Sequence, residues 1–280
     1  MLEIETSRRI GKASLMLADA LKGMATLPDQ SFDLAIADPP YGVFTENCWT
    51  LDAAHELPGF GGGWQLASHQ WDRLSGLESF SSTIIWLEQL QRLVKPTGSI
   101  WIHSTYHNAG IVNVACQMLG LEIINEVVWF KRNAFPNLAG RRLTASHETI
   151  LWVHTGKSKR EYRFNYERVK EASFDGDNIK QAGKQMRTVW DIPNNKAKDE
   201  LEFGRHPTQK PLRLSERLLL ISGLDGGTAL IPFMGSGTEM VASLRHGMMP
   251  TGFETDEEMF ELAVKRIEAE VQQTSKAPRK

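Results

Sequence analysis

The stretch FDLAIADPPYGV, Phe32–Val43, decides the reading. Six residues of mostly small and apolar character make a short buried strand, Phe32–Ala37, which runs into Asp38-Pro39-Pro40-Tyr41. Neither proline has an N–H to donate, so neither a sheet nor a helix continues through them. A carboxylate, two rigid prolines and an aromatic ring directly after a buried strand point to a ligand-facing loop rather than to further secondary structure.

The segments around this strand alternate between two periods. KASLML reads as a strand ending near Asp19, and ALKGMATLP as a helix closing at Pro28. SSTIIWLEQLQRLVKPTG places apolar residues at Ile84, Leu87, Leu90 and Leu93, the spacing of an amphipathic helix that stops before Pro96. SIWIHS is a strand, NAGIVNVACQMLG a helix, and EIINEVVWFK and HETILWVHT two further strands. After a polar, interrupted stretch at 156–205, PLRLSERLLLISG is a helix, GTALIPF a strand, TEMVASLRHG a helix, PTGFET a strand and DEEMFELAVKRIEAEVQ a closing helix. Strands alternating with helices predict a doubly wound, mostly parallel α/β sheet.

The composition narrows the classes. With 280 residues the chain suits one large domain with insertions, and its net charge of −2 is no sign of a nucleic-acid binder by itself. Cys48 and Cys116 are the only cysteines and form no C-x-x-C pair, which predicts neither a disulfide framework nor a cysteine metal site and favours a reducing, cytoplasmic setting. The N-terminus lacks the apolar core of a signal peptide, and no apolar run approaches the roughly 18 residues of a membrane span.

A second ligand-facing loop lies near the other end. PFMGSGT sets Gly235-Ser236-Gly237 between a strand and a helix, where glycines allow a tight turn and close approach to the backbone. Glu254 ends the next strand, 17 residues beyond Gly237, close to where an acid meets a ribose in nucleotide-binding sheets. Met240 breaks a G-x-G-x-x-G pattern and no Gly-Lys-Ser/Thr follows, so neither a dinucleotide fingerprint nor a P-loop is present. An ordinary strand–helix turn explains the loop alone equally well.

DPPY (38–41) together with PFMGSGT (232–238) resembles the S-adenosylmethionine-dependent amino-methyltransferases that act on DNA bases. HPTQKP (206–211) and the pair EVVWFKRNAFPNLAGRR (126–142) and HETILWVHTGK (147–157) resemble that family too. DPPY comes first and the glycine loop last, the permuted order of the family's β group, and the likeness spans about residues 13–269. The resemblance implies a single domain over 1–280 with a Rossmann-like fold. It implies a DNA-contacting loop at about 42–82 and a target-recognition segment at about 156–205; the polar, basic tail at 272–280 reads as flexible by its composition. The resemblance also implies roles. Asp38 and the Pro39 carbonyl would accept the hydrogens of a target amine, Pro40 would fix the backbone, and Tyr41 would stack on a base flipped from the duplex. Phe233, Gly235, Gly237 and Thr238 would hold the methionine part of the cofactor, and Glu254 its ribose. Asp19 would lie by its adenine, and Thr208 and Lys210 at its carboxylate. Read without the resemblance, Asp19 is a helix N-cap and Glu254 an acid capping the last helix. The family has aspartate directly before Pro-Phe, where this chain has Ile231. Weakened cofactor binding is therefore an expectation. Ile231→Asp would tighten binding if the side chain faces the cofactor, and only destabilise if it packs in the core.

Between Lys131 and Lys170 ten basic residues face three acids, leaving this segment at +7 and the rest of the chain at −9. Lys131, Arg132, Arg141, Arg142 and Arg160, with Phe135, Tyr162, Phe164 and Tyr166 between them, are the expected contacts to double-stranded DNA; a solvated charged face is the bland reading. HETIL has Leu151 where a zinc motif needs histidine, and Ser236 lacks the G-x-S-x-G frame of a serine hydrolase. The expected activity is adenine-N6 methylation. Cytosine-N4 methylation and a catalytically weak DNA-binding relative are the rivals, and methylation of RNA or a protein glutamine fits less well. The resemblance leaves room for a homodimer and for a cognate restriction endonuclease.

Overall fold

The computed structural model describes residues 6–40, 76–136, 141–156, 161–174, 183–194, 197–204 and 208–276. Among these, nine strands form one sheet: β1 (Thr6–Ile10), β2 (Ala13–Leu17), β3 (Phe32–Ala37), β4 (Val94–Ser104), β5 (Glu122–Phe130), β6 (His147–His154), β7 (Val189–Asp191), β8 (Thr228–Ile231) and β9 (Met249–Glu254). Their order is β1-β2-β9-β8-β3-β4-β6-β5-β7. β2, β9, β8, β3 and β4 run parallel, as do β5 and β7; β1 is antiparallel to β2, and β6 is antiparallel to both β4 and β5.

The strand around which the sequence was read is buried on both faces. Leu34 and Ile36 point to one apolar cluster and Ala35 and Ala37 to the other, the period-two alternation of a central strand. The first face carries α4 (Tyr166–Glu171), α5 (Leu212–Ser222), α6 (Thr238–Arg245) and α7 (Glu257–Lys276). The second carries α1 (Ala20–Ala25), α2 (Gly76–Leu93) and α3 (Ala109–Met118). Fully buried side chains such as Leu34, Leu87, Leu90 and Leu218 each contribute about 1.5–3 kcal/mol by leaving water. The chain winds outward from β8 to β9 and, separately, from β3 to β4. The adjacent carboxyl ends of β8 and β3 are thus the switch point where ligands bind in such sheets.

Several expectations need correction. Thr6–Ile10 forms an edge hairpin with β2 through Gly11, whose φ of +56° suits the tight turn. The helix α2 begins at Gly76, so residues 76–82 of the expected loop are helical; Phe80 packs on the core and extends the apolar face backward. The polar stretch at 156–205 is tied into the sheet. β7 joins its edge, and Val169, Trp190 and Ile192 enter the main core. A three-residue strand is too short to show a period, which is why it escaped the sequence reading. α7 continues to Lys276, past the start of the expected flexible tail. Residues 42–75 of the expected loop lie outside the described residues.

Candidate active site

The carboxyl edge of the sheet brings the two quoted loops together. Asp38, Pro39 and Pro40 follow β3, with Pro39 buried and its neighbours half-buried. Tyr41 lies outside the described residues. The glycine loop follows β8 next door. Gly237 sits at φ +80°, and a Cβ there would meet that of Ala263 at 3.0 Å, so glycine is required both by conformation and by space. The loop is held from several sides. The Gly235 N–H donates to Glu254 Oε2 at 2.8 Å. Arg266 of α7 donates from Nη1 to the Ser236 carbonyl at 2.7 Å, to Ser236 Oγ at 2.9 Å and to Thr238 Oγ1 at 3.1 Å. Sequence reading missed Arg266, since an arginine in a long amphipathic helix looks solvated. Phe233 is half-buried and meets Trp86 edge to face, with ring centroids 5.9 Å apart.

Glu254 Oε1 accepts from the backbone N–H groups of Thr255 and Asp256 at 2.8 and 2.9 Å. Burial pushes its carboxyl above the ordinary range, and the three N–H donors only partly offset this. The cap of α7 is instead Asp256, which accepts from the Met259 N–H at 3.0 Å. Asp19 is exposed and caps α1, accepting from the Lys22 N–H at 3.0 Å. Asp19, Glu254, the glycine loop and Asp38 therefore stand at the ends of four consecutive strands, β2, β9, β8 and β3. At the usual strand spacing this row spans about 14 Å.

Below Asp38 lies a set of buried charges that the sequence did not announce. Lys210 Nζ donates to Asp38 Oδ2 at 2.7 Å and Oδ1 at 2.9 Å, and lies 3.8 Å from Glu148 Oε2. Glu148 Oε1 in turn accepts from Lys131 Nζ at 2.8 Å. Burial alone would lower the Lys210 ammonium, but the carboxylates of Asp38 and Glu148 outweigh it and hold it above its ordinary value. Glu239, in the first turn of α6, is buried against Ser215 Oγ at 2.9 Å. Burial and then the Asp38 charge push it above the usual carboxylate range. His103, near the end of β4, is fully buried with both ring nitrogens unpartnered among the described residues, and burial pushes it down to about 4 despite the nearby carboxylates. A glutamate inside the apolar run ETILWV was the one readable signal for Glu148.

Two assigned cations are committed to carboxylates. Lys131 is the half-buried partner of Glu148 and sits 5.4 Å from the Trp129 ring centre, so it is not an open phosphate contact. Arg132 forms a two-pronged pair with Asp191 at 2.6 and 2.8 Å. Arg141 and Arg142 are exposed at the carboxyl edge, just before β6, with Arg142 Nη1 donating to Tyr106 Oη at 2.6 Å. Arg160 lies outside the described residues. Past β6 the chain emerges at the opposite edge, where the Arg163 N–H donates to the Thr97 carbonyl at 3.1 Å. Tyr162 and Phe164, expected among the DNA contacts, pack edge-on against Trp152 at 5.5 and 5.4 Å. Thr208 is exposed, whereas Lys210 is turned to Asp38 rather than left open as a carboxylate partner. Ile231 is fully buried in the main core and offers nothing to a ligand.

The row of groups fits S-adenosylmethionine in chemistry. The acids Asp19 and Glu254 stand at one end, a turn that requires glycine lies in the middle, and the Asp38 carboxylate is at the far end. Among the described residues no group of histidines, cysteines or acids could hold a metal ion. Residues 32–265 match the DNA methylase family of N6 and N4 methyltransferases. The chain is 35% identical over 260 residues to Type II methyltransferase M2.DpnII of Streptococcus pneumoniae, covering 92% of this chain and 91% of that one. It is 34% identical over 256 residues to M2.LlaDCHI of Lactococcus lactis subsp. cremoris, covering 91% and 89%. Among solved structures, PvuII DNA methyltransferase, a cytosine-N4-specific enzyme, shares the fold at a TM-score of 0.70 with 15% identity over 97% of this chain and 94% of that one. The M1.HpyAVI–SAM complex does so at 0.62 with 22% identity over 91% and 98%. With its permuted sheet, its glycine loop and its Asp-Pro-Pro edge, this chain belongs to the N6/N4 DNA methylase family.

Proposed function

We propose that this DNA methyltransferase acts on the N6 amine of adenine, flipped out of duplex DNA. The observation that carries this reading is Asp38: a carboxylate, an acceptor only, projects at the switch point directly after a rigid buried strand. An adenine amine is a poor nucleophile because its lone pair is delocalised into the ring. Asp38 and the Pro39 carbonyl accept its two hydrogens and favour a nitrogen whose lone pair points out of that plane. A carboxylate offers about four lone-pair positions, more than the two bonds from Lys210 use. S-adenosylmethionine, when bound, supplies a methyl group already activated on a sulfonium. Gly235, Gly237 and Thr238 with Phe233 position its methionine part, Glu254 takes the ribose, and Asp19 lies nearest the base. What this chain adds is alignment.

Cytosine-N4 is the second reading, because the same acceptor geometry serves either amine; adenine leads because, in the family this chain resembles, the cytosine enzymes tend to place serine where this chain has Asp38. Incubation of duplex DNA with labelled cofactor, followed by digestion to nucleosides, separates the two. Label in N6-methyl-2′-deoxyadenosine supports the proposal, and label in N4-methyl-2′-deoxycytidine overturns it. DNA is the substrate class of the family. A cognate restriction endonuclease accords with the Type II relatives and stays part of this proposal.

A further inference from the structure

We infer that Lys210 is a positioning residue for Asp38: a buried ammonium, shared with Glu148, that fixes the direction of the Asp38 carboxylate and keeps it ionised as the acceptor for the target amine. The inference rests on the reading of Asp38 given above, and it departs from the expected place of Lys210 at the cofactor's methionine carboxylate.

Three observations carry it. Lys210 Nζ reaches both Asp38 oxygens, at 2.7 and 2.9 Å, so rotation about the carboxyl bond is restrained from beneath. Its side chain is 4% exposed, and such a charge stays in the interior only where carboxylates compensate it. The ammonium is also anchored behind. Glu148 of β6 lies 3.8 Å away and is itself held by Lys131 Nζ at 2.8 Å. The series Asp38–Lys210–Glu148–Lys131 thus connects the end of β3 to β6 and to the residue that follows β5. The other titratable groups facing it are Glu239 of α6 and His103 of β4, the latter unpartnered and pushed down to about 4, so uncharged at neutral pH. Lys210 is then the buried cation in direct contact with Asp38, with Glu148 shared between it and Lys131.

The test is the pH dependence of single-turnover methyl transfer in the full chain, with cofactor affinity measured separately by calorimetry. In Lys210→Met the acid limb should move up by about one pH unit or more, since an opposite charge at this range lowers a carboxyl by that much. The plateau rate should fall while KM for DNA changes little. In Glu148→Gln a competing negative charge is lost and the acid limb should move down. Lys210→Arg keeps the charge and should restore most of the acid-limb position. S-adenosylmethionine affinity should stay within about threefold in all three variants. Shifts of opposite sign are not produced by loosened packing, and Glu148→Gln keeps the test alive if Lys210→Met fails to fold. An acid limb unmoved in Glu148→Gln and Lys210→Arg, or cofactor affinity lowered about tenfold or more in Lys210→Met, overturns the inference. Inactivity of the wild type on DNA, or full activity of Asp38→Ala, would instead overturn the reading of Asp38 itself.

Discussion

The two edges of the sheet use buried carboxylates in opposite ways. At the amino edge, Asp33 is the second residue of β3, with its oxygens taken up by the chain. Oδ2 accepts from the Thr228 N–H at 2.9 Å and from Thr228 Oγ1 at 3.0 Å, and Oδ1 from Lys95 Nζ at 2.7 Å. Burial opposes the charge, but Lys95 and Thr228 outweigh it and hold Asp33 below its ordinary range. At the carboxyl edge of the same strand, Asp38 shares one cation with Glu148, Glu239 is pushed upward, and His103 has no hydrogen-bond partner among the described residues. The first arrangement joins β3 to β8 and serves the fold. The second keeps charge imperfectly compensated where a ligand arrives, at a cost in stability.

Substitutions on the two edges should therefore separate activity from stability. The largest effect expected is Asp38→Ala, which should lower methyl transfer per folded molecule by about 10²–10³-fold or more while cofactor binding barely changes; the thermal midpoint should also fall, because the buried Lys210 ammonium loses its nearest carboxylate. Near-normal turnover would remove Asp38 from the chemistry. Ile231→Asp should come next. The side chain is fully buried among Leu34, Ile36 and Leu218, so a carboxyl there should destabilise by on the order of 3–4 kcal/mol in denaturant titration. Calorimetry should show no gain in S-adenosylmethionine affinity. Tighter binding would mean that this strand end faces the ligand after all.

Asp33→Ala should cost about 2–3 kcal/mol of stability and leave the rate per folded molecule unchanged. Because the folded-state pKa of Asp33 is depressed, its contribution is present above the ordinary carboxylate value and lost as pH falls through the folded one. His103 acts in a different window. Its pKa drops from 6.5 to about 4 on folding, so the unfolded chain binds the proton first and stability falls as pH drops from 6.5 toward 4. The loss amounts to about 3 kcal/mol at most. His103→Phe should flatten the stability curve in that window, and an unchanged slope would mean that another group titrates there.

The smallest effect concerns DNA. Arg141→Ser with Arg142→Ser, at the carboxyl edge, should reduce the slope of log affinity against log salt by up to about 2. Arg163→Ser with Arg168→Ser, beyond the other edge, should leave it unchanged. Equal responses would restore one continuous basic surface across the whole segment.

Sequence alone determined the alternation of strands and helices, the Asp-Pro-Pro edge after β3 and the glycine turn after β8. These features are local: period, proline and glycine act within a few residues of chain. The permuted order of the two loops was legible for the same reason. Only the tertiary structure decided the rest. Lys131, Arg132 and Arg163 are alike in sequence, yet one is sealed against Glu148, one is clamped by Asp191 and one stands at the far edge. Lys210 reads as a ligand contact and is turned to Asp38, 172 residues away in the chain. Arg266 reads as solvated and grips the glycine loop. The state of a charged side chain depends on which distant group shares its low-dielectric surroundings, and that pairing is fixed by the packing of the sheet rather than by neighbours in sequence.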